Sequence, residues 1–239
     1  MLSGLTAKTL GRYQEATKMV EKTMENLASG TAELSSAEQV KVGRMNNTIH
    51  TLQTAHKVVK QNQDLLQTAV AGIDSIKAVV VKMKEVATQA QDDQLTSDAR
   101  AALVTEYNEL MKEVQYVASN TQYDGTELID GSFGTKSITI DGVNSDQVVD
   151  MTIGDLTSGG LGIGAYTYVL DANSPILGQA KDGGGVYQVG DEISVPESSL
   201  DSVENAEIAV SRLEDAIESL DVERSVQLSK VERFDFTIA

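Results

Sequence analysis

Two histidines, His50 and His56, are the side chains of this sequence best suited to acid–base chemistry or metal binding near neutral pH. Their spacing places them about 240° apart on a helix, whereas two ligands of one metal ion need a spacing of about three or four residues. We therefore interpret both as exposed or partly packed helix residues and predict no metal site.

Carboxylates form three groups that could bind a cation or act as acid–base pairs. These groups are Asp92 with Asp93, Asp141 with Asp146, and the acids Glu214, Asp215, Glu218 and Asp221. None has the spacing of a known site, because the segment 141–146 has its glycine in second place where an EF-hand loop needs it in sixth. The acids favour a turn and solvated helix faces.

The glycine run 183–185 lacks the Lys-Ser/Thr pair of a phosphate-binding loop and the strand-to-helix spacing of a dinucleotide site. The sequence also has no nucleophile elbow, no histidine close to a serine and no zinc motif. We predict that the chain is not an enzyme, that it has no catalytic residue and that it needs no cofactor.

The overall composition excludes further classes of function. A net charge of −17 repels phosphate backbones and anionic bilayers, so no nucleic-acid or membrane partner is expected. The absence of cysteine removes disulfides and thiolate zinc sites. No apolar run reaches the roughly 18 residues that span a bilayer, and residues 1–30 do not form an ordinary signal peptide. An extracellular protein of this kind would leave the cell without a cleaved Sec signal.

Hydrophobic periodicity indicates the elements that organise the chain. With three Phe and no Trp, the apolar residues are mostly small or aliphatic, which suits helices packed side by side. A heptad pattern predicts one helix from about Val40 to Ala90, on the order of 75 Å long. Its principal row consists of Leu52, Val59, Leu66, Ile73, Val80 and Ala87.

Two later segments carry matching helical stripes. The cap candidates Thr96, Ser97 and Asp98 precede a stripe over residues 103–117, which predicts a helical hairpin. The third helix, over residues 203–238, has two apolar rows. One contains Val203, Val210, Ile217, Val231 and Ile238, and the other contains Ala206, Leu213, Leu220 and Phe234. Three amphipathic helices can close one bundle.

A β-rich part lies between the helical segments, where 14 of the 19 glycines fall. Alternating residues at Lys136–Ile140 and Val148–Ile153, joined by an Asp-Gly turn, predict a β-hairpin. Further strands are expected at Tyr166–Leu170 and Gly185–Val189. We therefore predict a mainly α fold: an elongated antiparallel bundle of long coiled-coil-like helices with a β-hairpin and a small β-rich outer lobe.

Several motifs resemble a known family. Residues Val81–Ala90 read VKMKEVATQA and residues Ala118–Leu128 read ASNTQYDGTEL, separated by a loop and a helix. The order and spacing are similar to the N-terminal conserved region of bacterial flagellins. Further likenesses occur at Glu25–Gly30, at Ser35–Glu38 and at 221–235. Departures include Lys82 and Lys84 where the family has arginines, and Tyr123 with Asp124 where it has Phe-Asn.

The resemblance implies a division of the chain and a function. The expected parts are an N-terminal helix with linker (1–44), a bundle core (45–130 and 202–239) and a hairpin with a variable outer lobe (131–201). The function implied is a structural subunit that assembles with itself into the extracellular flagellar filament for motility. Family members continue into a further C-terminal helix, and a chain that ends before it is expected to stay monomeric or to aggregate irregularly, although its parent polymerises.

The resemblance also implies partners and surface residues. We expect a flagellar export chaperone and cap or junction proteins as partners. We also expect that a host Toll-like receptor recognises an exposed patch formed by Lys82, Val86 and Glu106. Subunit and bundle packing is expected at Leu52, Val59, Leu66, Ile73, Val80, Leu213, Ile217 and Leu220. Two alternatives stay open: a hook-associated junction protein, and a surface glycan-binding protein using Tyr166, Tyr168 and Tyr187.

Overall fold

The computed structural model describes residues 14–25, 28, 36–139, 148–169, 188–190, 192–195 and 197–238. The helices are α1 over residues 14–25, α2 over Ser36–Gln89, α3 over Ser97–Asn120 and α4 over Val203–Ile238. The strands are β1 (Gln122–Tyr123), β2 (Thr126–Glu127), β3 (Thr135–Thr139), β4 (Val148–Thr152), β5 (Tyr166–Val169) and β6 (Glu192–Val195). The predicted mainly α fold with long helices and a small β part is confirmed.

Helix α2 contains 54 residues and begins a few residues before the predicted Val40. At 1.5 Å per residue it is about 81 Å long. Its Gly72 lies where a Cβ would come within 2.7 Å of the Thr121 side chain and 2.9 Å of Ile129 Cδ1. Glycine at this position therefore lets the end of α3 approach the backbone of α2.

Helix α3 begins at a capped turn, as the sequence predicted. Thr96 adopts an extended conformation and its side chain accepts a hydrogen bond from the Ala99 N–H at 3.2 Å, which satisfies a donor of the first helical turn. The buried face of α3 consists of Tyr107, Met111, Val114 and Ala118. Of the residues expected in this stripe, Leu103, Leu110 and Val117 are only half-buried and flank it.

The chain forms two compact units. Unit 1 comprises Met1–Gln67, Thr135–Thr152 and Val226–Ala239, and unit 2 comprises Thr68–Gly134 and Ile153–Ser225. These bounds differ from the four predicted parts, and that division remains a prediction.

Unit 2 contains a three-helix bundle made from the second half of α2, all of α3 and the first part of α4. Its fully buried helical residues include Ile73, Ile76, Val80, Met83, Tyr107, Val114, Leu213 and Leu220. Gly72 of α2 lies beside Thr121, whereas Ala90, just after α2, contacts Arg100 near the start of α3. Helices α2 and α3 therefore run antiparallel.

The predicted β-hairpin is confirmed in unit 1, where β3 pairs with β4 in the antiparallel register Ile138↔Val149. Val149 and Met151 on β4 are buried and the residues between them are exposed, as expected for a half-buried strand. The carbonyl oxygen of Thr152 accepts hydrogen bonds from Gln227 Nε2 and Lys230 Nζ, both at 2.9 Å. These bonds fix the hairpin to the last part of α4.

Two shorter hairpins lie in unit 2. Strands β1 and β2 are joined by Asp124 and Gly125, both with positive φ (50° and 75°), as in a type I′ turn. Strand β5 begins at the predicted Tyr166 and pairs with β6. Strand β6 was not predicted; of the strand expected at Gly185–Val189, residues 185–187 lie outside the described residues and residues 188 and 189 are not in a strand.

Candidate functional site

The histidines and carboxylates that could bind a metal ion or act in acid–base chemistry do not form a common site in the described part of the chain. His50 and His56 are exposed on α2, and Asp92 and Asp93 use their Oδ1 atoms to accept hydrogen bonds from Gln94. Within the described part of the chain, no group of three or more His, Asp and Glu side chains could hold a metal ion. The segments 141–146 and 183–185 lie outside the described residues.

The length and hydropathy of the helices bear on membrane insertion. None of those in the described ranges is both long and apolar enough to cross a bilayer.

The predicted packing residues occupy two kinds of position. Six of the eight are buried, with exposed fractions of 1% or less: Val59, Leu66, Ile73, Val80, Leu213 and Leu220. Leu52 and Ile217 are only half-buried. The buried face of α4 in unit 2 is instead made of Ala206, Ala209, Leu213, Ala216 and Leu220. Ile217 flanks this face, and its part in packing within or between subunits remains a prediction.

Three ion pairs join α2 to α4 along the edge of this bundle. Lys84 Nζ lies 2.7 Å from Glu214 Oε1, Lys77 pairs with Asp221, and Arg224 Nε lies 2.6 Å from Asp74 Oδ1. Each step towards the N-terminus on α2 is matched by an equal step towards the C-terminus on α4. This ionic ladder, as we name the three pairs, therefore follows an antiparallel helix pair in constant register.

The ionic ladder contributes little energy, but its charge pattern favours one register of α2 against α4. Its side chains are 33% to 57% exposed, so each pair contributes about 0.2–1 kcal/mol. The sign of the charge changes along it: α2 supplies the base at Lys84 and Lys77 and the acid at Asp74. A shift of one helix along the other would separate these partners, so the charges favour this register. The ladder was not predicted, although its charged residues lie beside the apolar heptad rows in the sequence.

The residues predicted to form a receptor-facing patch differ in exposure. Lys82 and Glu106 are exposed and form an ion pair of 3.5 Å between α2 and α3. Val86 is 3% exposed, so the expectation of an exposed Val86 is wrong. Val86 lies one helical turn after Lys82 on α2, and burying its branched apolar side chain stabilises the bundle.

Arg100 joins three segments at one end of the bundle. Its guanidinium donates to the carbonyl oxygens of Ala90 at 2.8 Å, Asp92 at 3.0 Å and Leu200 at 3.3 Å. These contacts satisfy carbonyl groups at the C-terminus of α2 and place positive charge at that helix end. No spacing rule in the sequence singled out Arg100.

A buried hydrogen-bonded node ties the base of the β5–β6 hairpin to α3. Ser198 Oγ donates to the Ile163 carbonyl at 2.7 Å and lies 2.7 Å from the Tyr107 hydroxyl. Because the single hydroxyl hydrogen of Ser198 is used for Ile163, Tyr107 is the donor to Ser198. Burial of the phenol raises the pKa of Tyr107 above its ordinary value.

One surface pair has perturbed acidity. The hydrogen bond to Asp130, together with the charge of Asp130, raises the pKa of Glu127. Hydrogen bonds from Ser132, and then the one shared with Glu127, hold the pKa of Asp130 below its usual range. Glu127 is exposed and Asp130 is half-exposed, so the pair lies in water beside the β1–β2 hairpin rather than in a catalytic pocket.

Comparisons with known proteins agree with this helical architecture. A family model described as the bacterial flagellin N-terminal helical region matches residues 4–134. Flagellin B of Vibrio cholerae serotype O1 is 28% identical over 172 residues, which cover 70% of this chain and 45% of that protein. The flagellin of Listeria innocua serovar 6a is 27% identical over 178 residues, covering 73% of this chain and 62% of that protein.

The fold is also similar to that of a solved structure. The crystal structure of Bacillus cereus flagellin aligns with a TM-score of 0.55 and 19% identity, covering 77% of this chain and 87% of that one. At this identity the likeness concerns the fold alone. The matched part of this chain spans about half the length of the curated Vibrio relatives.

Proposed function

The chain belongs to the bacterial flagellin family, and from this we propose that it is a structural subunit of the flagellar filament. The observation that carries the proposal is the match of the family's helical region to more than half of the chain. The bundle of α2, α3 and α4 within unit 2 supports it, because packed helices offer lateral surfaces for repeated contacts between copies. We propose no catalytic role.

The physical mechanism is self-assembly through surfaces that one subunit cannot cover. Contacts between two different surfaces of identical copies propagate without closing, and they generate a helical polymer. Exposed large apolar side chains in the helices, among them Val40, Val81, Ile208 and Val222, supply surface for such contacts. The filament is extracellular, so the subunit must be exported from the cell. An export chaperone and cap or junction proteins are the further partners of this pathway.

A second, separable part of the proposal concerns recognition by a host. Lys82 and Glu106 together expose a charged pair on the face formed by α2 and α3, where a Toll-like receptor would dock. Since Val86 is buried, this receptor contact would rest on the two charged side chains. Lysine supplies a point charge rather than the forked donor group of arginine, so the contact would be weak.

Disruption of the gene in the source bacterium tests the filament proposal. We expect loss or shortening of the filaments in electron micrographs and reduced swimming, both restored by the wild-type gene. Intact filaments detached from their hooks would instead favour the hook-associated alternative. Normal motility with loss of adhesion to glycans would favour the glycan-binding alternative, and either result would contradict the proposal.

A further inference from the structure

The N-terminal part of α2 has an apolar stripe that no described residue buries. Between Glu38 and Thr54 every described residue is exposed or half-exposed, and the first buried residue of the helix is Ala55. The half-exposed residues include a stripe at helical spacing, made of Val42, Met45, Ile49 and Leu52. An amphipathic helix of this length is marginal in water without a covering partner.

Basic residues accompany this stripe. Residues 36–60 contain Lys41, Arg44, Lys57 and Lys60 but only one acid, Glu38, in a protein whose net charge is −17. Lys41, Arg44 and Lys57 are exposed and make no ion pair with another described residue. We name the stripe and these bases together the basic surface. Its charge and apolar area are complementary to an acidic partner that also exposes apolar side chains.

A surface of that chemistry lies on α4 within unit 2. Residues 204–223 contain seven acids and one base, Arg212. The outer side of the helix consists of Glu204, Ile208, Ser211, Asp215, Glu218 and Val222, all exposed and all on one helical stripe. Ile208 and Val222 are 45% and 58% exposed and add apolar area to this side of the helix. We call this stripe the acidic surface.

The two surfaces also match in length. Lys41 and Lys57 are separated by about 24 Å along α2, and Glu204 and Glu218 by about 21 Å along α4. Glu204, Asp215 and Glu218 make no ion pair with any other residue that the structure describes. The acids of the ionic ladder, Glu214 and Asp221, lie on the other flank of α4 and are already paired.

We propose that the basic surface of one subunit binds the acidic surface of a second copy of this chain. The contact joins two different surfaces, so it leaves one of each free and can propagate. This inference rests on the proposed filament function, for which it names the interface. Opposite charges would orient the two subunits and accelerate their association. Burial of the apolar residues away from water would stabilise the contact.

Disulfide crosslinking within filaments tests the contact, because the chain has no native cysteine. Subunits with Arg44→Cys and subunits with Asp215→Cys would be produced together in the source bacterium lacking its own gene copy. We expect dimers on mild oxidation of isolated filaments that contain both variants, and none in filaments of either variant alone. The control pair replaces Arg44→Cys by Lys112→Cys, an exposed position on α3 outside both surfaces, and should stay monomeric.

Charge reversal provides an independent readout. Lys41→Glu with Arg44→Glu, or Asp215→Lys with Glu218→Lys, should each abolish incorporation into filaments, and mixing the two reversed subunits should restore alternating incorporation. Lys112→Glu, with a charge change of the same kind, should leave incorporation unchanged. Filaments that contain the protein but give no crosslink and tolerate the reversals would overturn this inference while the filament function stands.

Two other results are also decisive. Absence of the wild-type protein from filaments would overturn both the filament function and this contact. A reversal that lowers the thermal stability of the isolated subunit but not its incorporation would show that the chain's own residues cover the stripe, and the inference would be wrong.

Discussion

Lys84 of α2 and Glu214 of α4 form an ion pair of 2.7 Å, and Lys77 and Asp221 repeat it in the same antiparallel register. The two pairs bridge segments that are far apart in the sequence, on either side of the β-rich part. They therefore mark how the returning helix aligns on the long one.

The first prediction concerns this register. Lys84→Glu should lower the free energy of unfolding by about 1 kcal/mol, because an attractive exposed pair becomes a repulsive one. Adding Glu214→Lys should recover most of the loss by restoring opposite charges. Urea unfolding of the four proteins in this cycle gives the coupling energy, which should shrink in 1 M salt, where the screening length is about 3 Å. A coupling energy of zero at low salt would contradict the claim that the Lys84–Glu214 pair stabilises this register.

A second prediction uses two glycines of the same helix. Gly72→Ala should destabilise the protein by about 1–3 kcal/mol, since its Cβ would lie 2.7 Å from a Thr121 side chain that is held by a bond to the Val117 carbonyl. Gly43→Ala is the matched control, with no atom within 4 Å of the added Cβ. It should stabilise the helix by about 0.5–1 kcal/mol. Thermal unfolding with equal effects at the two positions would contradict the close approach at Gly72.

The third prediction concerns alkaline pH. Because burial raises the pKa of Tyr107, the unfolded chain ionises this phenol from its ordinary value near 10 while the folded protein does not. The contribution of the buried phenol to the free energy of unfolding is therefore fully present below about pH 10. It is lost as the pH rises through the higher pKa of Tyr107 in the folded protein. Tyr107→Phe should remove that part of the alkaline loss, at a cost of about 0.5–1.5 kcal/mol at neutral pH from the lost hydrogen bond.

Tyr116→Phe is the control for this measurement, because Tyr116 lies on the same helix and is 63% exposed. Chemical denaturation from pH 8 to 11 should give the same curve for Tyr116→Phe and wild type. An identical pH dependence for Tyr107→Phe would show that the buried phenol does not govern the alkaline loss.

The fourth prediction concerns the proposed receptor contact. Lys82→Arg should increase signalling in a Toll-like receptor reporter assay, because the guanidinium offers paired donors that an ammonium group lacks. Lys112→Arg should have no effect, since it is exposed elsewhere on α3. Equal potency of wild type and Lys82→Arg would sink the claim that this position limits recognition.

The long helices and the hairpin could be predicted from the sequence because their signals are periodic and local. The heptad row placed Val59, Leu66, Ile73 and Val80 in the core, and the alternation at 148–152 placed β4. The β6 strand escaped prediction because its four residues form a strand only through pairing with β5.

The wrong expectation of an exposed Val86 and the half-burial of Ile217 have a common physical reason. Periodicity finds the apolar face of a helix but not which edge of that face the neighbouring helices cover. Val86 is buried within the bundle, whereas Ile217 flanks a buried face on α4 that consists of alanines and leucines. Arg100 and Ser198 act through carbonyl groups of distant segments, which no sequence pattern reveals.

The most direct test of the central claim is to locate the subunit on the bacterium. Lys112→Cys introduces the only thiol of the chain at an exposed position, so a fluorescent maleimide would label the chain at this site, and the wild-type strain shows the labelling of other proteins. In a strain that carries this variant in place of its own gene, we predict continuous fluorescence along the flagellar filaments. Filaments without fluorescence, or fluorescence confined to the hook junction or the cell body, would contradict the account.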